Sequence, residues 1–274
     1  MPGAERDPTF VLVHSPLLGP TSWSPVASAL EARRREALIP SLVDTADAPP
    51  PRWRRAVEVV RTAATAIASP VVLVGHSGAG PLLPSMADAL SAEVAALIFV
   101  DASLPPASGV ASIVPKAFLD QLRELSTEGV LPPWSRWFGE ETMRELVPDV
   151  ALRETLEQEM PRLPLAYFEE SLPVPERWGE RPCAFLLLTE AYGESAADAR
   201  GRGWLVSELS GIQHLAPATD PIAVADALLY VEAELAEQTQ GSGRLADDVL
   251  DCSDHGVRWL IQDLHVVTGD RRKQ

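Results

Sequence analysis

Short apolar runs alternate with longer segments along most of the chain. Five runs are mostly apolar, a pattern typical of buried strands: residues 9–13, 71–74, 95–100, 182–188 and 204–209. The segments between them carry apolar residues at helical spacing, as in the stretch that follows Ser24. This alternation favours one parallel sheet with helices on both faces.

The second run ends at a turn that carries a single serine. Residues 71–80 read Val-Val-Leu-Val-Gly-His-Ser-Gly-Ala-Gly, and a helix-competent stretch follows to Leu90. A sharp strand-to-helix turn holds its central residue at strained backbone angles and lifts that side chain clear of the sheet. Small neighbours are needed because the two backbones pass close together there. Ser77 is therefore a candidate nucleophile; the alternative is a glycine-rich turn with an incidental serine.

This segment resembles the nucleophile elbow of the α/β-hydrolase family, G-x-S-x-G. Gly75 and Ser77 fit that pattern, whereas Ala79 occupies the second glycine position and Gly80 comes one residue later. The resemblance covers about residues 9–235, in which the candidate residues keep the family's order of serine, acid and histidine. It implies an α/β-hydrolase fold, with a mostly parallel central sheet, helices on both faces and a helical cap insertion.

A serine hydroxyl is a weak nucleophile and needs a base within hydrogen-bond reach. His214 follows the last apolar run, where the resemblance places the general base. Of the other histidines, His76 lies inside the turn, His14 ends the first run, and His255 and His265 lie in the tail. We expect His214 to be the base and the His76 ring to point away from the serine.

The acid that orients the base has two candidates. Asp101 ends the run at 95–100, which places its carboxylate at the carboxyl edge of the sheet beside Ser77. Glu190 lies just past the run at 182–188, close to the position that is commoner in the family. We favour Asp101 and keep Glu190 as the alternative; a turn or capping role would be the structural explanation for Asp101.

The expected oxyanion hole departs from the family's pattern. Gly78, directly after the candidate nucleophile, is expected to supply one backbone amide. The resemblance places the second donor at Pro16, which has no N–H. One possibility is that Leu17 or Ser15 supplies that amide from a shifted loop, and of these two we favour Leu17. The other possibility is that the oxyanion hole is weak. The loss of one donor typically lowers the rate by about 10²–10³-fold.

Residues 104–181 leave the strand–helix alternation and are rich in proline. Four short helices are predicted there, over 113–125, 140–146, 151–160 and 165–171. The resemblance implies that this insertion is a cap over the active site. We expect its Trp137, Phe138 and Tyr167, together with His14, to line the substrate pocket, although any one of them could instead pack the cap on the core. As a group, the apolar residues of the insertion favour a sizeable, largely apolar substrate or acyl group, since ligand pockets are mostly apolar with few polar anchors.

Composition and charge narrow the possibilities further. A net charge of −16 disfavours nucleic acids and anionic membrane surfaces as partners. The sequence contains no run of about 18 apolar residues, so it predicts no membrane span. The polar first residues predict a cytoplasmic location. The two cysteines show neither a disulfide framework nor metal-ligand spacing, so we expect no metal and no cofactor.

The pattern divides the chain into three parts. Residues 1–103 and 182–236 are the predicted α/β-hydrolase core, 104–181 the helical cap, and 237–274 a C-terminal tail. The tail begins with a polar, linker-like stretch at 237–244 and then carries one apolar helical face at 257–267. That face could pack on the body or join two copies of the chain in a homodimer.

These observations predict a serine hydrolase that cleaves an ester or thioester of a small apolar molecule through an acyl-enzyme. Ser77 would be the nucleophile, His214 the base and Asp101 the acid. The alternative is a non-hydrolytic protein of the same fold, namely a lyase, a cyclase or a ligand-binding protein. It stays open because Pro16 weakens the expected oxyanion hole.

Overall fold

The computed structural model describes residues 6–251, and its centre is a six-stranded parallel sheet. The strands are β1 (Thr9–Val13), β2 (Ala37–Leu38), β3 (Val71–His76), β4 (Val94–Val100), β7 (Cys183–Leu187) and β8 (Leu205–Glu208), in the order β2-β1-β3-β4-β7-β8. Five of them are the strands that the apolar runs predict, and only the two-residue β2 is too short to give a recognisable run.

Both faces of the sheet are covered, as the alternation predicts. The α-helices found within residues 6–251 are α1 (Ser24–Ala32), α2 (Trp53–Ala63), α3 (Leu83–Ala89), α4 (Lys116–Leu125), α5 (Glu140–Leu146), α6 (Val150–Glu159), α7 (Leu165–Phe168), α8 (Gly193–Gly201), α9 (Ala216–Thr219) and α10 (Pro221–Asp251). Buried residues of α2, α3 and α8 pack on one face, and those of α1 and the first part of α10 pack on the other. Alternate residues of β1, Val11 and Leu12 for example, enter these two separate clusters.

The register of the sheet brings the carboxyl ends of four strands together. Val13 of β1 pairs with Gly75 of β3, which pairs with Phe99 of β4. Phe99 in turn pairs with Phe185 of β7. The residues that directly follow these strands therefore emerge at one edge of the sheet, which is where ligands bind in open α/β folds.

Residues 104–181, called the insert below, form α4 to α7 and a small antiparallel pair of strands, β5 (Gly109–Ser112) and β6 (Ser171–Val174). The four helices lie close to their predicted ranges. The strand pair was not predicted, because both strands have only four residues, and β6 contains Pro173.

The last described helix, α10, continues to Asp251 and so runs through 237–244, where the sequence favoured a linker. Glutamine and glutamate are good helix formers, and each of the two glycines in that stretch costs only about 1 kcal/mol in a helix. The described residues 236–251 belong to a compact unit separate from the preceding residues. The apolar face predicted at 257–267 lies outside the described residues.

No helix within residues 6–251 combines the length and the apolar character that a membrane span requires.

His14 lies directly after β1 and is completely buried. Its Nδ1–H donates to the carbonyl of Ser15 (2.8 Å), and its Nε2 accepts the backbone N–H of Leu42 (2.9 Å). Both ring nitrogens are thus used by the neutral imidazole, and burial lowers the pKa of His14 to about 4. The His14 ring thus links the end of β1 to the loop at Leu42 by hydrogen bonds, which indicates a structural role for this residue.

We expect the free energy of unfolding to fall as the pH is lowered from 6.5 towards 4. An exposed histidine titrates near 6.5 and the folded His14 near 4, so in this window the unfolded chain binds a proton that the folded chain does not. The stabilisation is complete above pH 6.5 and is lost progressively below it. His76, whose pKa burial lowers to about 3, acts in the same direction.

Urea unfolding at pH 7, 6 and 5 tests this expectation. The variant His14→Gln keeps an acceptor for Leu42 but cannot titrate, so its pH slope should be shallower by up to about 1.4 kcal/mol per pH unit. Equal slopes for the variant and the wild type would contradict the assignment, whatever the variant's stability at pH 7.

Candidate active site

Ser77 lies at the point where β3 gives way to a 3₁₀ helix (Ser77–Leu82). Its φ of 55° falls in the left-handed region, which costs a non-glycine residue about 1–2 kcal/mol. The same conformation is what turns the hydroxyl away from the sheet and towards the cavity described below. The strained turn predicted from the sequence is therefore present.

Gly80 explains how the turn tolerates an alanine at position 79. A Cβ at Gly80 would overlap the carbonyl oxygen of Ser103, a backbone atom that cannot move aside easily. Ala79 is completely buried, and its methyl group packs in the core. The close approach between the turn and the strand exit after β4 therefore falls at Gly80, one residue after the family's second glycine.

Asp101 directly follows β4 and is completely buried, with a φ of 42°. Its Oδ1 accepts the backbone N–H groups of Leu188 (2.9 Å) and Thr189 (3.0 Å). Its Oδ2 accepts the Thr189 hydroxyl (2.7 Å) and Nδ1–H of His214 (2.8 Å). Burial alone would raise the pKa of Asp101, but the hydrogen bonds from His214, Thr189 and Leu188 outweigh it and hold the pKa below its usual range.

His214 lies between Asp101 and Ser77. Because its Nδ1–H is donated to the Asp101 carboxylate, its Nε2 is free to accept, and Nε2 lies 3.1 Å from Ser77 Oγ. The three side chains come from the exits of β3 and β4 and from the loop after β8, far apart in the sequence. The structure thus brings together the serine, histidine and aspartate that the sequence favoured.

Glu190 is placed differently. It is exposed at the start of a short 3₁₀ helix (Glu190–Tyr192) and does not line the cavity. The hydrogen bond to His214 Nδ1 is made by Asp101. The structure therefore favours Asp101 over Glu190 as the partner of His214.

His76 supports the loop that carries His214. Its Nε2–H donates to the backbone carbonyl of His214 (3.0 Å), and the two rings lie 4.6 Å apart between centroids. Burial, followed by the electrostatic effect of the neighbouring His214, lowers the pKa of His76 to about 3, so this ring stays neutral. The hydrogen bond that the His76 ring makes is thus to the His214 carbonyl and not to the Ser77 hydroxyl.

A cavity of about 560 Å³ opens beside Ser77 and His214. Its wall is mostly aromatic and aliphatic and includes Trp137, Phe138 and Tyr167; it also includes Ile113, Val114, Pro115, Phe118, Trp134, Thr142, Leu146 and Phe168 of the insert. None of the described residues in this wall is an acid, a lysine or an arginine. His14 was expected here, but it is enclosed behind the wall and does not line the cavity.

The three predicted pocket aromatics differ in exposure. Trp137 and Tyr167 are 6% and 2% exposed and pack against the ring of Phe168, so they also hold the insert together. Phe138 is 55% exposed and lies with its edge against Trp134. Of the three residues, Phe138 is therefore the one that can be substituted without disturbing the packing of the core.

The loop after β1 and the turn after β3 meet at the cavity. Leu17 and Gly78, the predicted amide donors, both line it, as do Ser15 and Pro16. The Leu17 N–H points at Ser15 Oγ at 3.3 Å, a long and weak hydrogen bond. Ser15 Oγ in turn lies 3.2 Å from the place where a Cβ of Gly78 would be, so the loop and the turn are in close contact.

Two residues at this site were missed by the sequence reasoning. Thr189 binds Asp101 through both its N–H and its hydroxyl. Tyr192 places its hydroxyl 3.3 Å from Ser77 Oγ. Both lie in the loop after β7, and their positions depend on the 3₁₀ turn there, which leaves no periodic signal in the sequence.

A larger, open depression of about 1150 Å³ lies near the amino ends of β1 and β3. It is lined by charged residues such as Arg34, Arg35 and Glu36, and it is remote from Ser77 and His214. The smaller cavity is the site that combines an apolar wall with a nucleophile and a base.

Several solved structures share this fold. An extracellular α/β-hydrolase from a Paenibacillus species superposes with a TM-score of 0.63 at 17% identity, covering 82% of this chain and 99% of that one. Polyneuridine aldehyde esterase gives 0.62 at 19% identity, with 82% and 99% covered. Tomato methylketone synthase I, in complex with 2-tridecanone, gives 0.61 at 15% identity, with 84% and 99% covered.

No curated protein sequence matches the chain. Residues 10–263 match the sequence model of the alpha/beta hydrolase family. This match spans most of the 274 residues and includes the turn at Ser77, Asp101 and His214. The chain therefore belongs to the alpha/beta hydrolase family.

Proposed function

We propose that this protein is a serine hydrolase that cleaves an ester or thioester of a small, neutral, apolar molecule through an acyl-enzyme. One observation carries the proposal: the chain of hydrogen bonds from Asp101 through His214 to Ser77, which ends on a hydroxyl facing an apolar cavity. This is the arrangement of acid, base and nucleophile that nucleophilic catalysis by a serine needs.

In the first step, Ser77 Oγ attacks the carbonyl carbon of the substrate. His214 Nε2 takes the hydroxyl proton and then gives it to the leaving alcohol or thiol as the bond to the carbonyl carbon breaks. Asp101 stays ionised, fixes the ring through Nδ1–H and stabilises the imidazolium that forms. The product of this step is an acyl group bound to Ser77 Oγ.

In the second step, water attacks the acyl carbon and His214 Nε2 accepts its proton. The bond between the acyl carbon and Oγ breaks, Oγ recovers a proton from His214, and the carboxylic acid leaves. Both steps pass through a tetrahedral oxyanion, for which we propose the backbone N–H groups of Gly78 and Leu17 as donors. The Leu17 N–H would turn from Ser15 Oγ to the oxyanion, because its present bond is long.

The proposed substrate class follows from the wall of the cavity. An anionic substrate would find neither lysine nor arginine there, and the net charge of −16 would repel it at long range. The size and the aromatic lining suit an apolar acyl or alcohol group covered by the insert, which would act as the cap. Polyneuridine aldehyde esterase is an esterase with a similar fold, which supports the same class of reaction.

A non-hydrolytic activity is the second candidate. Pro16 offers no amide at the family's donor position, and the nearby Leu17 N–H already has a partner in Ser15 Oγ. A reaction without a tetrahedral oxyanion would not need that donor. The similarity to tomato methylketone synthase I shows that the fold also serves proteins that are not named as hydrolases.

We expect Asp101→Asn to lower kcat on p-nitrophenyl butyrate by about a thousandfold or more. An asparagine amide turned towards His214 favours the tautomer in which Nε2 carries the proton and cannot accept from Ser77. Glu190→Gln, with its exposed side chain, is the matched carboxylate-to-amide control and should keep activity within about twofold. Steady-state kinetics of both variants measure these effects. Full activity in Asp101→Asn together with a large loss in Glu190→Gln would identify Glu190, and not Asp101, as the acid that orients His214.

We expect Phe138→Ala to raise KM for a p-nitrophenyl hexanoate by about threefold to tenfold, with little change in kcat. The physical reason is the loss of apolar contact with the acyl chain rather than any change near Ser77. Val150→Ala, which removes an equally exposed apolar side chain outside the cavity, is the control and should leave KM unchanged. An unchanged KM in Phe138→Ala, or an equal rise of KM in Val150→Ala, would contradict the binding of the acyl chain against Phe138.

A further inference from the structure

Tyr192 touches both reacting side chains of the proposed mechanism. Its hydroxyl lies 3.3 Å from Ser77 Oγ, and its ring is stacked on the His214 ring, with 5.2 Å between centroids and 8° between planes. We propose that Tyr192 is a further catalytic residue, whose phenol stabilises Ser77 Oγ as the leaving group when the acyl-enzyme breaks down. This inference rests on the proposed function.

The direction of the Tyr192–Ser77 hydrogen bond follows from the rest of the chain. In the neutral imidazole of His214, Nδ1–H is donated to Asp101 and Nε2 accepts the only proton of the Ser77 hydroxyl. Ser77 Oγ can then only accept from Tyr192, and the phenol is the donor. Burial raises the pKa of Tyr192, so the phenol keeps this proton at neutral pH.

The position of Tyr192 in the sheet separates it from Leu17, one of the two proposed oxyanion donors. The loop with Ser15 to Leu17 follows β1, which lies on one side of β3. Tyr192 and His214 follow β7 and β8, which lie on the other side of β3. The phenol therefore approaches Ser77 from the side of the base, and the atom of Ser77 that it contacts is Oγ.

The strength of Ser77 Oγ as a hydrogen-bond acceptor changes during the reaction. In the free enzyme it is a hydroxyl oxygen that already accepts from Tyr192, so acylation gains little from this bond. In the acyl-enzyme it is an ester oxygen, which is a poor acceptor. As the bond between the acyl carbon and Oγ breaks, Oγ receives the electron pair, and the bond from Tyr192 strengthens until His214 delivers the proton. Tyr192 keeps its own proton throughout.

The proposal thus predicts an effect on one half of the reaction. Tyr192→Phe keeps the ring that stacks on His214 and removes only the oxygen. The acyl-enzyme of this variant should decay about 5- to 20-fold more slowly than that of the wild type, the effect of one hydrogen bond. Its kcat/KM, which reports acylation, should stay within about twofold of the wild-type value.

The measurement is rapid mixing with p-nitrophenyl butyrate, followed by quenching and intact mass analysis of the butyryl adduct on Ser77. Tyr230→Phe is the matched control, because Tyr230 is exposed on α10 and lies outside the cavity. Its adduct should decay at the wild-type rate. Thermal unfolding of each variant establishes that it is folded before the rates are compared.

Equal decay rates in the wild type and Tyr192→Phe would overturn the role of Tyr192 while leaving the proposed hydrolase intact. A parallel fall in the decay rate and in kcat/KM would also overturn it, because that result places Tyr192 in the support of His214 or of the oxyanion. Absence of both adduct and turnover in all three folded proteins would overturn the proposed function, and this inference with it.

Discussion

The carboxylate of Asp101 holds three separate parts of the site in place. Its four hydrogen bonds reach the backbone at Leu188 and Thr189, the Thr189 hydroxyl and the ring of His214. The exit of β4 is thereby joined to the loop after β7 and to the loop after β8. The orientation of His214, and the start of the turn that carries Tyr192, both depend on this one buried charge.

A buried carboxylate lowers the free energy of unfolding unless its oxygens accept hydrogen bonds, and here the protein supplies the donors at fixed positions. The same region holds two non-glycine residues, Ser77 and Asp101, at positive φ. Conformations of this kind persist only where the surroundings determine them, and they concentrate at functional sites. The surroundings here are β3, which is buried throughout, and the last five residues of β4, which are also buried. The two faces of these strands pack in separate cores.

Much of this arrangement was predictable because its signals are local. The apolar runs gave five of the six strands of the sheet, and the small residues around Ser77 gave the turn. The position of His214 after the last run singled it out among five histidines.

By contrast, Asp101 and Glu190 both follow strands, and only the loop geometry after β7 distinguishes them. His14 was placed in the pocket wrongly, because the sequence does not show that the backbone of Ser15 and Leu42 satisfies its ring. Tyr192 was missed for a similar reason, since its contact with Ser77 spans 115 residues.

The central claim is that the hydrogen-bond chain makes Ser77 a nucleophile. It is tested most directly by incubating the wild type, Ser77→Ala and His214→Ala with a fluorophosphonate probe and measuring the intact mass of each protein. The account predicts a single adduct on the wild type and none on either variant, because the probe needs both the hydroxyl and its base. A folded wild-type protein that acquires no adduct, or a His214→Ala variant labelled as fast as the wild type, would contradict it.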